Sequence, residues 1–236
     1  MAEKQETVVQ LLELARSAGA TLAGIANVAE VRQAAAARSY PVGEPWLPDG
    51  GSVLVLGLAH PPDQPELDWW GTQSGTSGNH RLKMICEKLK SILAKKFNIK
   101  AQILTYQPGL MGLFLKDAAV LAGLGCIGDN NLLITPQLGP GLRLRALLLD
   151  VELPGSLAGQ AAPCAACAHA CWQACPQNAF EGGSYNRLNC RAQMAKDEFS
   201  RTAVETKERG WVTYVKYCRA CELACPLGKP VLEAGG

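Results

Sequence analysis

The stretch that decides the fold of the C-terminal part of the chain is Cys164–Pro176, which reads CAACAHACWQACP. A shorter copy of the pattern, CRACELACP, occupies Cys218–Pro226, and Cys190 lies between the two. Eight of the ten cysteines therefore fall in this region. The N-terminal residues show no export signal, so we expect reduced thiols, and clustered reduced cysteines favour metal ligation over a disulfide framework.

The spacing of these cysteines predicts two 4Fe-4S clusters. Three closely spaced thiolates can bind three irons of one cluster, while the cysteine before proline is directed to the other cluster. On that logic the two motifs exchange their last cysteines. The first predicted ligand set is Cys164, Cys167, Cys171 and Cys225, and the second is Cys175, Cys190, Cys218 and Cys221.

Structural zinc is the alternative, because two Cys-x2-Cys pairs can build four-thiolate sites. Zinc requires neither Cys-Pro closures nor an interleaved set of eight, so the pattern favours iron-sulfur. One spacing departs from the usual bacterial run, since three residues rather than two separate Cys167 from Cys171. We expect this extra residue to form a small bulge or to leave one cluster labile.

The residues before Pro154 predict an α+β sandwich, with helices packed against a sheet. Short apolar runs indicate buried strands, and apolar residues at helical spacing indicate amphipathic helices. Strands are expected at 21–26, 52–59, 101–106, 132–135 and 143–153, and helices at 6–17, 80–97 and 113–121. Because the composition changes at Pro154, we predict one domain over 1–154 and a smaller one over 155–236.

Composition excludes some functions. With 48% hydrophobic residues the chain of 236 residues can bury a core, and its net charge of +2 gives no strong attraction to nucleic acid or to an anionic membrane. No apolar run reaches the length of a membrane span, about 18 residues. We therefore expect a cytoplasmic protein that binds neither nucleic acid nor a membrane.

Residues 116–134 read KDAAVLAGLGCIGDNNLLI. This segment resembles the AGLGWIGKNTLLI region of epoxyqueuosine reductases, which are cobalamin-dependent relatives of reductive dehalogenases. Leu149–Pro154 resembles the acidic segment that ends their catalytic domain, their cysteine order is similar, and the resemblance covers roughly residues 8 to 228. It implies a nitroreductase-like corrinoid-binding domain followed by a ferredoxin-like module with two 4Fe-4S clusters.

The resemblance also implies a function: an oxidoreductase that passes single electrons to a corrinoid such as cobalamin. The cobalamin would be in its base-off form, and since no Asp-x-His-x-x-Gly segment is present, a histidine lower ligand of that type is not expected. The implied partners are a corrinoid or a corrinoid protein, and an external electron donor such as ferredoxin or flavodoxin. The implied groove consists of the 60–79 loop with Gly109, Gly123, Leu124, Gly125, Cys126, Ile127, Gly128, Asn130 and Asn131.

The chain differs from the family at positions where the family has a catalytic aspartate and other residues of its motifs. Gly109 stands where the family has its catalytic aspartate, and Cys126 and Asp129 stand where it has tryptophan and lysine. Glycine cannot donate a proton, so the catalytic residue is unknown and cobalamin itself is a possible substrate. Eleven residues follow Cys225, too few for the tRNA-binding repeats of many relatives, and we do not expect epoxyqueuosine in tRNA as the substrate.

The alternative function is an electron-transfer module that holds no corrinoid and docks a partner protein. Among single residues, His80 and Tyr106 are candidate proton donors, although both are also ordinary structural residues. His169, between cluster cysteines, is expected to hydrogen-bond near a cluster, and Trp69–Trp70 are expected either to cover a macrocycle or to pack. Cys86, on an apolar helix face, is expected in the core, whereas Cys126 lies in a glycine-rich turn suited to ligand approach.

Overall fold

A computed structural model describes residues 2–36, 47–71, 75–108, 113–156, 164–165, 167–206 and 210–228. Its central feature is a four-stranded antiparallel sheet of order β1-β2-β8-β5. The strands are β1 (Leu22–Asn27), β2 (Ser52–Ala59), β5 (Ala101–Pro108) and β8 (Leu142–Leu149). All four were predicted from their apolar runs.

Helices cover both faces of this sheet, because the central strand β2 is apolar on both sides. Leu54 and Leu56 join the core under α1 and α3, whereas Val53 and Val55 join the core under α2 and α4. The helices are α1 (Ala2–Ser17), α2 (Val28–Ala36), α3 (Ser77–Ile92) and α4 (Leu115–Leu121). The α+β prediction is therefore confirmed as a helix-sheet-helix sandwich.

A second sheet has the order β4-β3-β10-β9 and is also antiparallel. Its strands are β3 (Trp70–Gly71), β4 (Gly75–Thr76), β9 (Thr202–Thr206) and β10 (Gly210–Val215). A 3-10 helix, Pro65–Asp68, precedes β3. This sheet joins strands from both sides of Pro154, so the C-terminal part is tied into the sandwich, while the domain division at that residue remains a prediction.

The glycine-rich segment after α4 folds into a hairpin of β6 (Cys126–Ile127) and β7 (Leu133–Ile134). Two close approaches need glycine. A side chain at Gly24 on β1 would lie 2.1 Å from the Ala122 carbonyl oxygen, and one at Gly125 would lie 2.1 Å from the Ile134 carbonyl oxygen. Gly24 thus lets the end of α4 approach β1 closely, and Gly125 lets the two arms of the hairpin approach each other.

The cysteine-rich part contains α5 (Ala170–Gln173), α6 (Arg187–Phe199) and α7 (Ala220–Leu223). The periodicity analysis missed α2, α6 and the hairpin β9-β10. For α6 the reason is physical: none of its residues is buried, so it lacks the apolar face that predicts a helix. Its start is set by Asn186, whose side chain accepts hydrogen bonds from the Leu188 and Asn189 N–H groups.

Across the described ranges, the helices are too short or too polar to traverse a bilayer.

Candidate metal centre and adjoining cavity

The short helices α5 and α7 pack against each other and bring the two cysteine motifs together. In the first predicted set, Cys171 and Cys225 are both buried. Burial raises the pKa of the Cys171 thiol, and the neighbouring Cys225 and Cys167 thiols raise it further. Cys171 is thus close to a cysteine of the other motif, 54 positions later in sequence.

The second predicted set surrounds a cavity of about 190 Å³, whose lining includes all four of its thiols: Cys175, Cys190, Cys218 and Cys221. Burial raises the pKa of Cys221 to about 12, and the charges of Cys218, Cys190 and Cys175 contribute. Tyr185 also lines this cavity and hydrogen-bonds to Cys190. Four thiols that line one cavity provide the donor set that an iron-sulfur cluster requires.

The extra residue of the first motif is accommodated at His169. This residue has a left-handed φ of 52° and immediately precedes α5. Its Nε2 lies 2.8 Å from Oδ2 of Asp129, and its ring stacks near Trp172 with centroids 4.2 Å apart. The backbone N–H of Asp129 donates to Sγ of Cys164 at 3.4 Å. Two departures from the family pattern, the longer spacing and Asp129, therefore meet in one contact.

The predicted groove residues of the 123–131 segment do not all point to one place. Asn130 and Asn131 line the 190 Å³ cavity. Gly125 and Gly128 pack against Ile134, so their lack of a side chain serves the hairpin. Cys126 is half-buried. Burial raises the pKa of its thiol, and the charge of Cys164 raises that pKa further. Gly109 lies outside the described residues.

A second cavity, of about 390 Å³, adjoins the first. The two share seven lining residues, and Cys218 is the cluster cysteine among them. Part of its lining, the leucine wall, consists of Leu115, Leu132, Pro140, Leu142 and Leu144, and another part, the polar wall, consists of His60, Asp68, Trp70, Asn79 and Arg143. Four residues of the predicted 60–79 loop therefore line this cavity, whereas none of the predicted groove residues of the 123–131 segment does.

A buried charge network forms the polar wall. His60, which follows β2, and Asp68, which ends the 3-10 helix, are 4% and 6% exposed. Nδ1 of His60 lies 2.6 Å from Oδ2 of Asp68 and 3.5 Å from Oε1 of Glu222. Arg143 pairs with Asp68, and Arg219 pairs with both Asp68 and Glu222.

The charges of this network stabilise one another. Burial alone would raise the pKa of the Asp68 carboxyl, but the nearby His60 ring and the guanidinium groups of Arg143 and Arg219 outweigh burial and lower it. His60, Asp68 and Glu222 could in principle hold a metal ion, since their ligand atoms lie within 4.8 Å of one another. Because two arginines already neutralise the two carboxylates, we assign no cation there.

Sequence reasoning missed this network. His60 and Arg219 are 159 positions apart, and a pattern search within one segment cannot pair them. The available signal was the placement of Arg219 and Glu222 between the cysteines of the second motif. Charged residues need partners when they are buried. Arg219 and Glu222, beside predicted ligands, therefore indicated that charged partners lie elsewhere in the chain.

The remaining single residues have simpler positions. Cys86 is fully buried, as predicted, and burial raises its pKa to about 12. His80 is exposed on α3. Trp69 packs between Tyr214 and the Lys216 ammonium group, while Trp70 contacts Tyr217 and lines the larger cavity. The side chain of Tyr106 is outside the described part.

Comparison with known proteins gives no matching family model. In sequence, the chain is 26% identical over 202 residues to an epoxyqueuosine reductase of Lactococcus garvieae (strain Lg2), covering 78% of this chain and 54% of that protein. The chain thus spans about half the length of this curated relative.

Solved structures show the same fold. A selenomethionine-labelled epoxyqueuosine reductase matches with a TM-score of 0.68 at 19% identity, over 95% of this chain and 66% of that one. A catabolic reductive dehalogenase matches with a TM-score of 0.57 at 15% identity, over 92% of this chain and 31% of that one. The resemblance predicted from the sequence is therefore confirmed: the chain is similar in sequence to an epoxyqueuosine reductase, and it shares its fold with an epoxyqueuosine reductase and a reductive dehalogenase.

Proposed function

We propose that this protein is an oxidoreductase that holds two 4Fe-4S clusters and passes single electrons to a corrinoid. The observation that carries the proposal is the grouping of the cysteine thiols. The charge of Cys225, in the other motif, raises the pKa of Cys171, and four further thiols line one cavity. Both groupings agree with the crossed ligand sets, in which Cys225 belongs to the first set and Cys175 belongs to the second.

The residues present fit these clusters. Cys171 and Cys225 are buried, and a cysteine thiolate is the ordinary ligand of iron-sulfur iron. Tyr185, which donates its hydroxyl hydrogen to Cys190, would stabilise negative charge on the second set. A structural zinc site has no need of eight crossed thiols, and we therefore retain iron-sulfur as the assignment.

The larger cavity is the proposed corrinoid site. Its volume of about 390 Å³ lies in the range of small-molecule sites. The leucine wall suits the face of a flat macrocycle, and Asn79 and Arg143 suit polar groups at its edge. A bound corrinoid would supply a cobalt centre that accepts one electron at a time. Because Cys218 lines both cavities, the second thiol set is the one beside this site.

This chain's own residues would perform three tasks. The thiols would hold the electron-carrying clusters, and Trp70 with the leucine wall would contact the bound molecule in the larger cavity. The ion pairs of Arg219 with Asp68 and Glu222 hold the second cysteine motif against the sandwich, because Arg219 and Glu222 flank cluster cysteines while Asp68 precedes β3. On this proposal, residues 1–154 form a nitroreductase-like domain and residues 155–236 form a ferredoxin-like domain.

The test is an anaerobic reconstitution followed by iron and sulfide analysis and a cobalamin titration. We expect about eight irons and eight sulfides per chain, as two cubanes require. On adding cobalamin, the ultraviolet-visible spectrum should change as its axial ligation changes, and the reduced protein should accelerate its reduction. Two clusters without any cobalamin effect would favour the alternative, an electron-transfer module that docks a partner. Bound zinc with no sulfide would refute the proposal.

A further inference from the structure

His60 is placed where a proton can reach it but bulk water largely cannot. It follows β2, and its backbone N–H donates to the Gly141 carbonyl at 3.2 Å. The residue is 4% exposed, yet its side chain lines the 390 Å³ cavity. The ring is therefore fixed in the polar wall, beside the space proposed for the reacting molecule.

Nδ1 of His60 has two possible partners. Nη2 of Arg219 donates to it at 2.8 Å, which requires a proton-free Nδ1. Oδ2 of Asp68 lies 2.6 Å away, and the same oxygen lies 2.5 Å from Nη1 of Arg219. Both contacts are ion pairs, and among the described residues no donor is aligned with Oδ2 as a hydrogen bond. A proton on Nδ1 would supply that donor.

Arg219 remains satisfied in either case. Its Nη2 also donates to the His60 carbonyl oxygen at 3.2 Å and to Oε1 of Glu222. Nη2 carries two hydrogens, and these two acceptors can take both. Each protonation state of His60 therefore has hydrogen-bond partners already in position, and the exchange needs no change of fold.

The charged groups around His60 balance one another before an electron arrives. The carboxylates of Asp68 and Glu222 balance the guanidinium groups of Arg143 and Arg219. Lys116, Tyr217 and Cys218 line the same cavity. An imidazolium would add an unbalanced buried positive charge, which is costly. One electron on the second thiol set, beside the same cavity, would provide the balancing negative charge.

From this geometry we infer that His60 binds a proton when an electron reaches the second thiol set, and is the proton-carrying group of the cavity. The inference rests on the proposed function, because it requires a cluster at that set. One electron comes from an external reductant and one proton comes from water through the cavity, so the net charge of the site is unchanged. The imidazolium can then donate to a molecule reduced in the cavity, a role that the glycine at position 109 cannot serve.

The test is a redox titration of the reconstituted protein, with dithionite as reductant and paramagnetic resonance as the readout, at several pH values. Binding of one proton per electron lowers the midpoint potential of the second cluster by up to about 59 mV for each tenfold fall in proton concentration. We expect this slope for the second cluster in the native protein. His60→Gln should abolish it, whereas His80→Gln, on an exposed histidine, should retain it.

The first cluster in the same molecule is an internal control, and His60→Gln should leave its potential unchanged. A second-cluster potential that is independent of pH in the native protein overturns the inference, even if no variant folds. A slope that persists in His60→Gln overturns it as well. If iron analysis shows that the second cluster does not form, the proposed function fails and the inference falls with it, and that outcome is distinguished by iron content alone.

Discussion

The two thiol sets look alike in sequence but have different surroundings. The first set is tied down by a partly exposed contact, His169 with Asp129, whose side chains are 34% and 45% exposed. The second set, which includes the exposed Cys218, lines a cavity that adjoins a larger one and a network of five charged or ionisable groups. On the proposed function, we therefore expect the second set, beside the larger cavity, to be the one that exchanges electrons and protons with a bound molecule.

The crossed exchange of Cys175 and Cys225 gives the largest expected effect. If the sets are crossed, Cys225→Ala removes the cluster of the first motif and Cys175→Ala removes that of the second. Each variant should retain about four irons rather than about eight. Iron analysis and paramagnetic resonance of the reduced proteins measure both the loss and the identity of the remaining cluster.

Two further variants make that result decisive. Under crossed pairing, Cys225→Ala should show the same residual spectrum as Cys164→Ala, and Cys175→Ala the same as Cys218→Ala. A residual spectrum of Cys225→Ala that instead matches Cys218→Ala would refute the exchange. Both clusters would then be built within their own motifs.

Breaking the surface contact should have a moderate effect that is confined to the first set. Asp129→Asn removes the charge that His169 contacts across 2.8 Å. Because exposed charge pairs contribute about 0.2–1 kcal/mol, we expect a chelator to remove the first cluster roughly one and a half to five times faster. The second cluster should be unaffected. The matched control is Asp63→Asn, at an exposed position elsewhere on the surface.

The opposite pattern would contradict this comparison. If Asp129→Asn accelerates loss of the second cluster instead, the contact does not belong to the first set. Equal rates for Asp129→Asn and Asp63→Asn would show that the longer spacing in the first motif is stabilised without the His169 contact.

Cys126 should have the smallest effect. It lies near Cys164. Burial is the larger cause that raises the pKa of Cys126, and the charge of Cys164 raises it further. The first set already supplies four thiols, so Cys126→Ala should still bind about eight irons, the content of two cubanes. A fall to about four irons would make Cys126 a ligand and would remove Cys164 or another predicted member from the first set.

Much of the fold was readable from local pattern. The four strands of the central sheet and the helices α1, α3 and α4 follow from apolar periodicity, since buried faces impose it. By contrast, α6 exposes Leu188 and Phe199 and buries nothing, and no periodic signal was available for it. The short strands β3 and β10 pair across about 140 positions of sequence, which a local pattern cannot reveal.

For the candidate site, the sequence by itself determined which residues are candidate ligands, because thiolate spacing is a local requirement of cluster geometry. It also determined that Gly109 and Asp129 replace the residues expected in the family. Only the tertiary structure decided which charges meet: His169 with Asp129, and His60 with Asp68 and Arg219. The physical reason is that a buried charge is stabilised by whatever the fold places beside it, and the fold takes those partners from distant segments.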